Sequence, residues 1–541
     1  MNKFEKFLNK NVSNLNSNVY TKYREYNIQK DVILYESFYG QGLTDNPYAI
    51  FLELLKIDTE SKFFHVWVLD SLETNIQVKR YSNFKNIKFI LIGSEEYFMY
   101  LATSEYIVIN TSLKEQFAAR YDQKVLQTWH GTPLKTLGKD IKDGYMGAYR
   151  NVQRTLFQSD LIVHPNNFTE KSLLESHDMF GIFNGYSSVC GAPRIDLIQN
   201  TNKEYYKNDI LGSVINLQDD KKIAIYAPTW RGFNGGDNNS SSELIEQYNI
   251  LKETIPNEYQ LLLKVHLNSY KDMIEYGIDE TIFIPNYLDT SEILSVTDLL
   301  VTDYSSIFFD YYVREKPIIL WIYDKEEYLR ERGTYFDLES IDAFITQDKN
   351  DLDEYFKNRL DVQNCNWLNI ESANKWVSNQ DGKVSNRIVR DFFFEENVIN
   401  KRKVSNNKEN ILFFLPDIFT EDGENAIKTI NGYNSDEYNI ILFHTKVYKT
   451  NKRYRFSNTD IHQLFAIGGY NYLEEQWFAV DAYTEGLESL VFLKYLEPFS
   501  ALEVKRKTGN IVIEKIVNLT SISKHWDIVS TFYKKGLEID V

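Results

Sequence analysis

The feature that most constrains the fold of this 541-residue chain is a repeated alternation of short apolar segments with amphipathic segments of helical spacing. In residues 31–200 the apolar segments are DVILYES, FFHVWVLD, IKFILIG, YIVIN, KVLQTWH and SDLIVHP. A second series comprises KKIAIYAPTWR, YQLLLKVHLN, ETIFIPN, DLLVTDYSS and KPIILWIYD. Strands that alternate with helices form parallel, doubly wound sheets. The sequence therefore predicts an α/β chain with two Rossmann-like units and a ligand-binding cleft between them.

Composition shifts divide the chain into four segments. A basic amphipathic segment at 1–30 precedes the first unit at 31–210, the second unit at 211–400, and an extension at 401–541 that opens with the polar linker KRKVSNNKEN. Residues 375–397 read as helical and could cross back to the first unit. In the extension, LVFLKYLEPFSALEVKR and GNIVIEKIVNL have the composition of strands. The extension carries no recognisable chemical motif. We therefore predict that it has no active site and that a still-folded chain without it keeps its turnover.

Charge and composition limit the classes of partner. The chain has 60 basic and 77 acidic residues and a net charge of −17, which argues against nucleic-acid binding. No apolar run reaches the length of a membrane-spanning helix, and the two cysteines form no metal or disulfide pattern. The start, MNKFEKFLNKN, lacks the apolar core of a secretory signal. These features predict a cytoplasmic protein.

The first thirty residues differ from the rest of the chain because they carry a net charge of +4. Their apolar residues recur at helical spacing, so the segment predicts an amphipathic helix. Such a helix can lie on an anionic membrane surface, or it can dock on its own domain. The many asparagines weaken both interpretations, and docking is favoured.

Four of the predicted strands end in polar or reactive groups, and ligands bind at the carboxyl ends of parallel strands. The first strand end is WHGTPLK, in which His130 directly precedes Gly131. Glycine permits an unusual backbone angle or a close ligand approach. His130 is therefore a candidate general base. The alternative is a histidine that is satisfied by a backbone carbonyl.

Two further strand ends carry cationic and aromatic groups. Thr229, Trp230 and Arg231 follow one strand, where arginine can bind phosphate and the indole can stack on a base. A surface arginine beside a core tryptophan would give the same pattern. Lys264 and His266 end the next strand and share one of its faces.

The fourth strand end is DYSSIFFDYY, in which Ser305 and Ser306 precede a segment of helical spacing. Hydroxyls and free backbone N–H groups at a helix start can bind phosphate. An ordinary serine N-cap is the alternative interpretation. Asp310 lies on the same helical face as Ser306 and suits hydrogen bonds to polyol or ribose hydroxyls.

Together these motifs resemble the CDP-glycerol:polyolphosphate glycerophosphotransferase family, the teichoic acid primases and polymerases. The resemblance runs from about residue 31 to 397 and includes YESFYGQGLTDNPYAIF, WHGTPLKTLGKD, GAPRID, YAPTWRG, KVHLN, VTDYSSIFFDY and KPIILWIYDKEEY. It implies the GT-B fold, with an N-terminal acceptor domain and a C-terminal nucleotide-donor domain. Ala192 and Leu267 depart from the common family pattern.

The resemblance also implies roles for individual residues. His130 would deprotonate the acceptor hydroxyl, and His266 would neutralise the diphosphate or assist the departure of CMP. The expected donor-binding residues are Gly131, Thr132, Pro133, Leu134, Arg194, Thr229, Trp230, Arg231, Lys264, Ser305, Ser306 and Asp310. Phosphoryl transfer would then rest on positioning and charge neutralisation, with neither a metal nor a cofactor expected.

The resemblance implies transfer of a polyol phosphate from CDP-glycerol or CDP-ribitol, with glycerol phosphate as the first choice. The acceptor would be a lipid-linked glycerol-phosphate or glycan precursor of teichoic acid or capsule, held at the inner membrane face. The alternatives are a nucleotide-sugar glycosyltransferase of the same fold, and a non-catalytic homologue that binds polymer or a partner enzyme through the extension. The presence of His130 and His266 argues against the non-catalytic homologue.

Overall fold

The computed structural model of the protein describes residues 12–72, 76–142, 147–229, 239–265, 267–331, 333–358, 370–447, 461–468, 471–486, 490–520 and 523–533. Within these residues the strands form three separate sheets of eight, five and four strands. Neighbouring strands are parallel except where the two-residue strand β13 pairs with β7. The α/β class and the two separate parallel sheets of the Rossmann-like units agree with the prediction.

The first sheet has the order β13-β7-β6-β5-β4-β1-β2-β3. Its parallel strands are largely buried, because helices cover both faces and leave no polar face for water. Their bounds are Gln29–Glu36 (β1), Phe64–Leu69 (β2), Ile87–Leu91 (β3), Ser104–Ile109 (β4), Lys124–Gln127 (β5), Leu161–His164 (β6) and Tyr186–Val189 (β7). The helices are Val12–Arg24 (α1), Asp45–Ile57 (α2), Ile76–Tyr81 (α3), Glu95–Thr103 (α4), Arg150–Phe157 (α5), Asn167–Ser176 (α6) and Pro193–Asn200 (α7).

The second sheet has the order β12-β11-β10-β8-β9. Its strands are Lys222–Ala227 (β8), Tyr259–Leu263 (β9), Leu299–Thr302 (β10), Ile318–Trp321 (β11) and Phe344–Thr346 (β12). After the short helix Lys203–Tyr205 (α8) and a π-helical turn at Tyr206–Leu211, its helices are Asn239–Thr254 (α9), Leu267–Glu275 (α10), Thr290–Val296 (α11), Ile307–Tyr311 (α12), Lys325–Glu331 (α13), Lys349–Asn358 (α14) and Ile370–Val377 (α15).

The prediction of one strand in this unit is wrong. The segment ETIFIPN forms a 3-10 turn at Glu280–Ile282 and a single bridge between Leu263 and Phe283. Asp279 caps the turn by accepting from the N–H of Thr281, so a local hydrogen bond competes with the ladder.

The helix Val384–Phe394 (α16) crosses back to the first unit, as the sequence indicated for 375–397. Val384, Ile388 and Val389 are fully buried in the first unit's core, beside Phe392 and Phe393. The two units are therefore joined by packed structure as well as by the chain.

The extension forms a parallel sheet of order β16-β15-β14-β17. The antiparallel β13 (Arg402–Lys403) precedes it, and its own strands are Glu409–Leu415 (β14), Tyr438–His444 (β15), Ile461–Phe465 (β16) and Lys515–Asn518 (β17). Its helices are Glu421–Ile430 (α17), Glu474–Thr484 (α18), Leu490–Thr508 (α19) and Lys524–Phe532 (α20).

The strand predicted at LVFLKYLEPFSALEVKR is wrong, because this segment is the long helix α19. Leu496, Phe499 and Leu502 are buried at spacings of three residues, which is the helical period, and Pro498 is accommodated inside the helix. The neighbouring prediction for GNIVIEKIVNL is confirmed by β17.

The extension shares one hydrophobic core with the first unit. Phe414, Leu496 and Trp526 of the extension lie in the same cluster as Trp129 and Phe157 of the first unit. Deleting 401–541 would expose this core, so a loss of turnover on deletion would not distinguish a missing active site from lost packing. The absence of an active site in the extension stays a prediction.

Helix α1 docks on the first unit, which was the favoured interpretation of the basic N-terminal segment. Tyr20 is fully buried and its hydroxyl donates to the carbonyl of Ala118 over 3.1 Å. Residues 1–11 lie outside the described residues. Among those described, no helix is long and apolar enough to cross a membrane.

Candidate active site

A cavity of about 250 Å³ lies between the segment after β5 and the turn after β10. It brings the predicted HGTP and Ser305-Ser306 strand ends of the two units together. Its lining consists of Trp129, His130, Gly131, Thr132, Pro133, Leu134, Lys135, Leu137, Tyr304, Ser305 and Ser306. These lining residues include a lysine and several hydroxyls but no carboxylate, so the cavity suits an anionic ligand.

His130 is held in one tautomer by the end of β4. Its Nδ1 lies 2.8 Å from the carbonyl oxygen of Asn110, and a carbonyl can only accept. The proton therefore sits on Nδ1 and the lone pair on Nε2. Burial lowers the pKa of His130, so the ring is neutral at pH 7 and can accept a proton. The backbone carbonyl of Asn110 satisfies Nδ1 and, by holding the proton there, leaves Nε2 able to accept one. The histidine is therefore bound by a backbone carbonyl and remains a candidate base.

The backbone around His130 adopts left-handed angles that shape the turn. Trp129 has φ 51° and Gly131 has φ 118°. A side chain at Gly131 would overlap the guanidinium of Arg194. Glycine is therefore required both by the backbone angle and by the close approach of Arg194.

Arg194 joins the two units through a buried ion-pair bridge. It lies 2.5 Å from Asp45 of the first unit and 2.5 Å from Asp310 of the second, and donates to the carbonyl of His130 over 2.8 Å. All three charged side chains are at most 8% exposed. Burial raises the pKa of Asp310 to about 6, against the opposing effect of Arg194. Arg194 and Asp310, both predicted to bind donor, thus bind each other, and their donor contacts stay a prediction.

Two further residues of the first unit, Asn46 and Asn110, support this bridge. Neither of them, nor Asp45, was identified from the sequence. Asn46 donates to the carbonyl of Trp129 over 3.0 Å and accepts from the backbone of Arg194 over 2.9 Å. Asn110 donates to Asp45 over 3.0 Å. Asp45 and Asn46 lie in the quoted segment YESFYGQGLTDNPYAIF, where they look like an ordinary polar helix start. Their partners are distant in sequence, so no local signal marks them.

The two serines of the opposite wall leave their hydroxyls at the cavity. Ser306 is the N-cap residue of α12 but makes no side-chain capping bond, and the N–H of Ile307 reaches Ser305 Oγ only at 3.4 Å. Because α12 has five residues, its dipole is small. The serines therefore contribute little to capping the helix. Their hydroxyls are available to a ligand in the cavity.

Asp303 ties the serine turn to the neighbouring strand end. Its carboxylate accepts from the N–H of Thr229 at 2.8 and 3.0 Å and from the N–H of Tyr304 at 2.6 Å. Thr229 therefore lies beside the turn, and its contact with the donor stays a prediction. Trp230, Arg231 and His266 lie outside the described residues, and their roles stay predictions.

Lys264 is held behind β9 by the segment that follows it in the second unit. Its Nζ lies 3.2 Å from Asn286 Oδ1 and 3.4 Å from the carbonyl of Pro285. Burial lowers the pKa of Lys264 to about 8. It does not line the cavity that contains His130.

The rest of the HGTP segment makes hydrogen bonds to both units. The hydroxyl of Thr132 accepts from Asn166 over 2.8 Å, and the carbonyl of Leu134 accepts from the backbone of Tyr335 in the second unit over 2.9 Å. Lys135, which sequence reasoning did not single out, supplies the cation in the lining and lies 5.7 Å from the ring of Tyr328.

Among the described residues, no group of three or more His, Cys, Asp or Glu side chains is arranged to hold a metal ion. The expectation of neither a metal nor a cofactor stays a prediction.

Comparison with known proteins places this chain in a family. Residues 18–394 match the family model described as CDP-Glycerol:Poly(glycerophosphate) glycerophosphotransferase. The chain belongs to this family. The match covers both Rossmann-like units and ends before the extension, and it supports a phosphotransferase over the nucleotide-sugar alternative.

Curated relatives of this family member are teichoic acid enzymes. The teichoic acid poly(glycerol phosphate) polymerase of Bacillus subtilis (strain 168) is 28% identical over 347 residues, which are 62% of this chain and 45% of the polymerase. The teichoic acid glycerol-phosphate transferase of Staphylococcus aureus (strain NCTC 8325 / PS 47) is 28% identical over 385 residues, which are 67% of this chain and 93% of the transferase. The chain thus spans about half of the first relative and nearly all of the second.

Among solved structures, the wall teichoic acid polymerase TagF, in a variant soaked with CDPG, superposes with a TM-score of 0.59 at 25% identity. The superposition covers 72% of this chain and 97% of that structure. This similarity confirms the two-unit GT-B fold.

Proposed function

We propose that the protein transfers a polyol phosphate, glycerol phosphate in the first instance, from a CDP-polyol to a hydroxyl of a teichoic acid or capsule precursor and releases CMP. The observation that carries the proposal is the cavity that joins His130 to Ser305 and Ser306. His130, the two serines and Lys135 line the same cavity, and this supports a general base beside groups that can bind phosphate.

In the proposed reaction, the acceptor O–H gives its proton to Nε2 of His130. The oxygen forms a bond to the phosphorus that bears the polyol, and the bond from that phosphorus to the bridging oxygen of CMP breaks. CMP departs with the electron pair of that bond, and His130 carries the proton until it is lost to solvent. Lys135, Ser305 and Ser306 would bind the charge on the phosphate oxygens. We assign His266 the role of assisting CMP departure on the family resemblance alone.

We also propose that the protein works in the cytoplasm at the inner membrane face, where a lipid-linked acceptor would be held. The net charge of +4 in the first thirty residues supports this location. Sedimentation with vesicles that contain anionic lipid, against neutral vesicles, tests it.

The test of function is nucleotide release from CDP-glycerol, CDP-ribitol and a UDP-sugar, each with and without a glycerol-phosphate acceptor. We expect acceptor-dependent CMP release that falls by about 10²–10⁴ in His130→Ala, which is the usual contribution of a general base. His130→Asn retains an N–H for the carbonyl of Asn110 and should be equally inactive. His462→Ala, in the extension, is the matched control and should keep its turnover. Undiminished turnover in both His130 variants would remove this residue as the base.

A further inference from the structure

A second cavity, of about 570 Å³, lies at the carboxyl edge of the first sheet. Its lining includes Tyr39 after β1, Lys114 after β4, Arg150 and Asn151 at the start of α5, and Ile467 of the extension. All of its lining residues come from the first unit and the extension. It is therefore distinct from the cavity that faces the second unit.

The lining residue Tyr39 connects this second cavity to the segment that anchors His130. Asn110, whose carbonyl holds His130, accepts from the N–H of Phe38 over 3.0 Å, and the Phe38 ring centroid lies 5.8 Å from that of His130. The next residue, Tyr39, contacts Ser112 over 2.9 Å through its hydroxyl. A ligand bound against Tyr39 is therefore one residue away from Phe38, which lies beside His130.

The charges and polar groups of the lining fit a polyol-phosphate chain. Lys114 is exposed and Arg150 is half-buried, against the single carboxylate of Glu115. Tyr39 and Asn151 add a hydroxyl and an amide for polyol oxygens, while Phe98 and Leu113 provide apolar surface. Two cations beside neutral polar groups suit alternating phosphates and hydroxyls.

The extension completes the wall of this second cavity. Arg506 of α19 is fully buried, and its Nη1 donates to the carbonyl of Glu115 over 2.9 Å and to that of Gly468 over 3.3 Å. It therefore fixes the lining residue Glu115 of the first unit to Gly468 of the extension, which is next to the lining residue Ile467. Glu503 neutralises Arg506 at 2.9 Å.

We propose that this second cavity binds the phosphodiester-linked polyol end of the acceptor and presents its terminal hydroxyl to His130, and that the extension serves to close this acceptor site. The proposal rests on the proposed function, since it names where the acceptor of that reaction binds. Lys114 and Arg150 hold acceptor phosphate in this arrangement, and Ile467 limits the width of the site.

The test measures binding directly, so that it does not depend on turnover. A short soluble glycerol-phosphate oligomer is titrated into the full chain by calorimetry, with neutral triglycerol as the uncharged probe and the same oligomer on a lipid carrier in detergent as the second source. We expect both phosphorylated probes to bind and the Lys114→Gln/Arg150→Gln variant to weaken each at least tenfold. Lys171→Gln, an exposed lysine on α6 of the same unit, should change binding less than twofold.

A second variant tests the contribution of the extension. Ile467→Trp narrows the second cavity without altering its charge and should weaken oligomer binding at least tenfold while CDP-glycerol binding is kept. Failure of the wild-type chain to bind either oligomer, or equal binding by the wild type and the charge variant, overturns the proposal. Failure of the proposed function would appear separately, as an absence of CMP release by a chain that binds the oligomer.

Discussion

Replacement of Arg194 by alanine is the sharpest structural test of the interface between the two units. The variant leaves the carboxylates of Asp45 and Asp310 buried without their shared cation, at 8% and 7% side-chain exposure. Removing one partner of a buried ion pair costs about 3–5 kcal/mol, because the remaining charge stays desolvated. For a domain of 150–250 residues this corresponds to a fall of roughly 6–20 °C in the unfolding midpoint.

The measurement is thermal unfolding of the full chain at pH 8, followed by tyrosine and tryptophan fluorescence. Arg390→Ala is the matched control, because Arg390 pairs with Glu396 over 3.1 Å on the surface, at 43% and 40% exposure. Exposed pairs contribute about 0–1 kcal/mol, so this variant should shift the midpoint by no more than about 4 °C.

The pH dependence gives an independent check of the same reasoning. The pKa of Asp310 is already raised to about 6 by burial, and loss of Arg194 removes an interaction that lowers it. A raised carboxyl pKa favours the folded state at low pH, and that contribution is lost as the pH rises through the folded-state pKa. The deficit of Arg194→Ala should therefore be smaller at pH 5 than at pH 8. A midpoint shift equal to that of Arg390→Ala, or a deficit that grows on acidification, would refute the buried bridge.

Three further outcomes are expected from the structure. Gly131→Ala should lower the free energy of unfolding by about 1–3 kcal/mol because of its φ of 118°, and should lower turnover at least tenfold because the new side chain displaces Arg194. Gly277→Ala, with φ 87° and open space around it, should lower stability without loss of turnover. Because burial lowers the pKa of His130, kcat/KM should rise with pH through a pKa below 6.5 and be level above pH 7; an acid limb centred above 6.5 contradicts this assignment. Trp526→Ala, which truncates the shared core, should cost about 3–5 kcal/mol and lower the midpoint of the first unit; separate transitions, with the first unit unshifted, would argue against a single core.

Much of the fold was predictable because parallel strands that are buried on both faces leave a strong local pattern. Residues 222–227 and 299–302 are apolar runs between polar turns, and they became β8 and β10. The wrong strand prediction in the extension arose where the amino-acid composition of a segment favours a strand but the spacing of its apolar residues is helical. Leu496 and Phe499 belong to a segment with strand composition, but their three-residue spacing is helical and the segment is α19.

The sequence by itself determined the site's strand-end residues, because a histidine before glycine and two serines after an apolar strand are local patterns. Only the tertiary structure decided how they act. The carbonyl of Asn110 selects the tautomer of His130, and Arg194 joins Asp45 to Asp310 across the units. These interactions link residues far apart in the chain, and their strength comes from burial, which exists only once the units have packed. For the same reason the extension showed no function in its sequence, yet Ile467 lines the second cavity and Arg506 ties the extension to Glu115 of that lining.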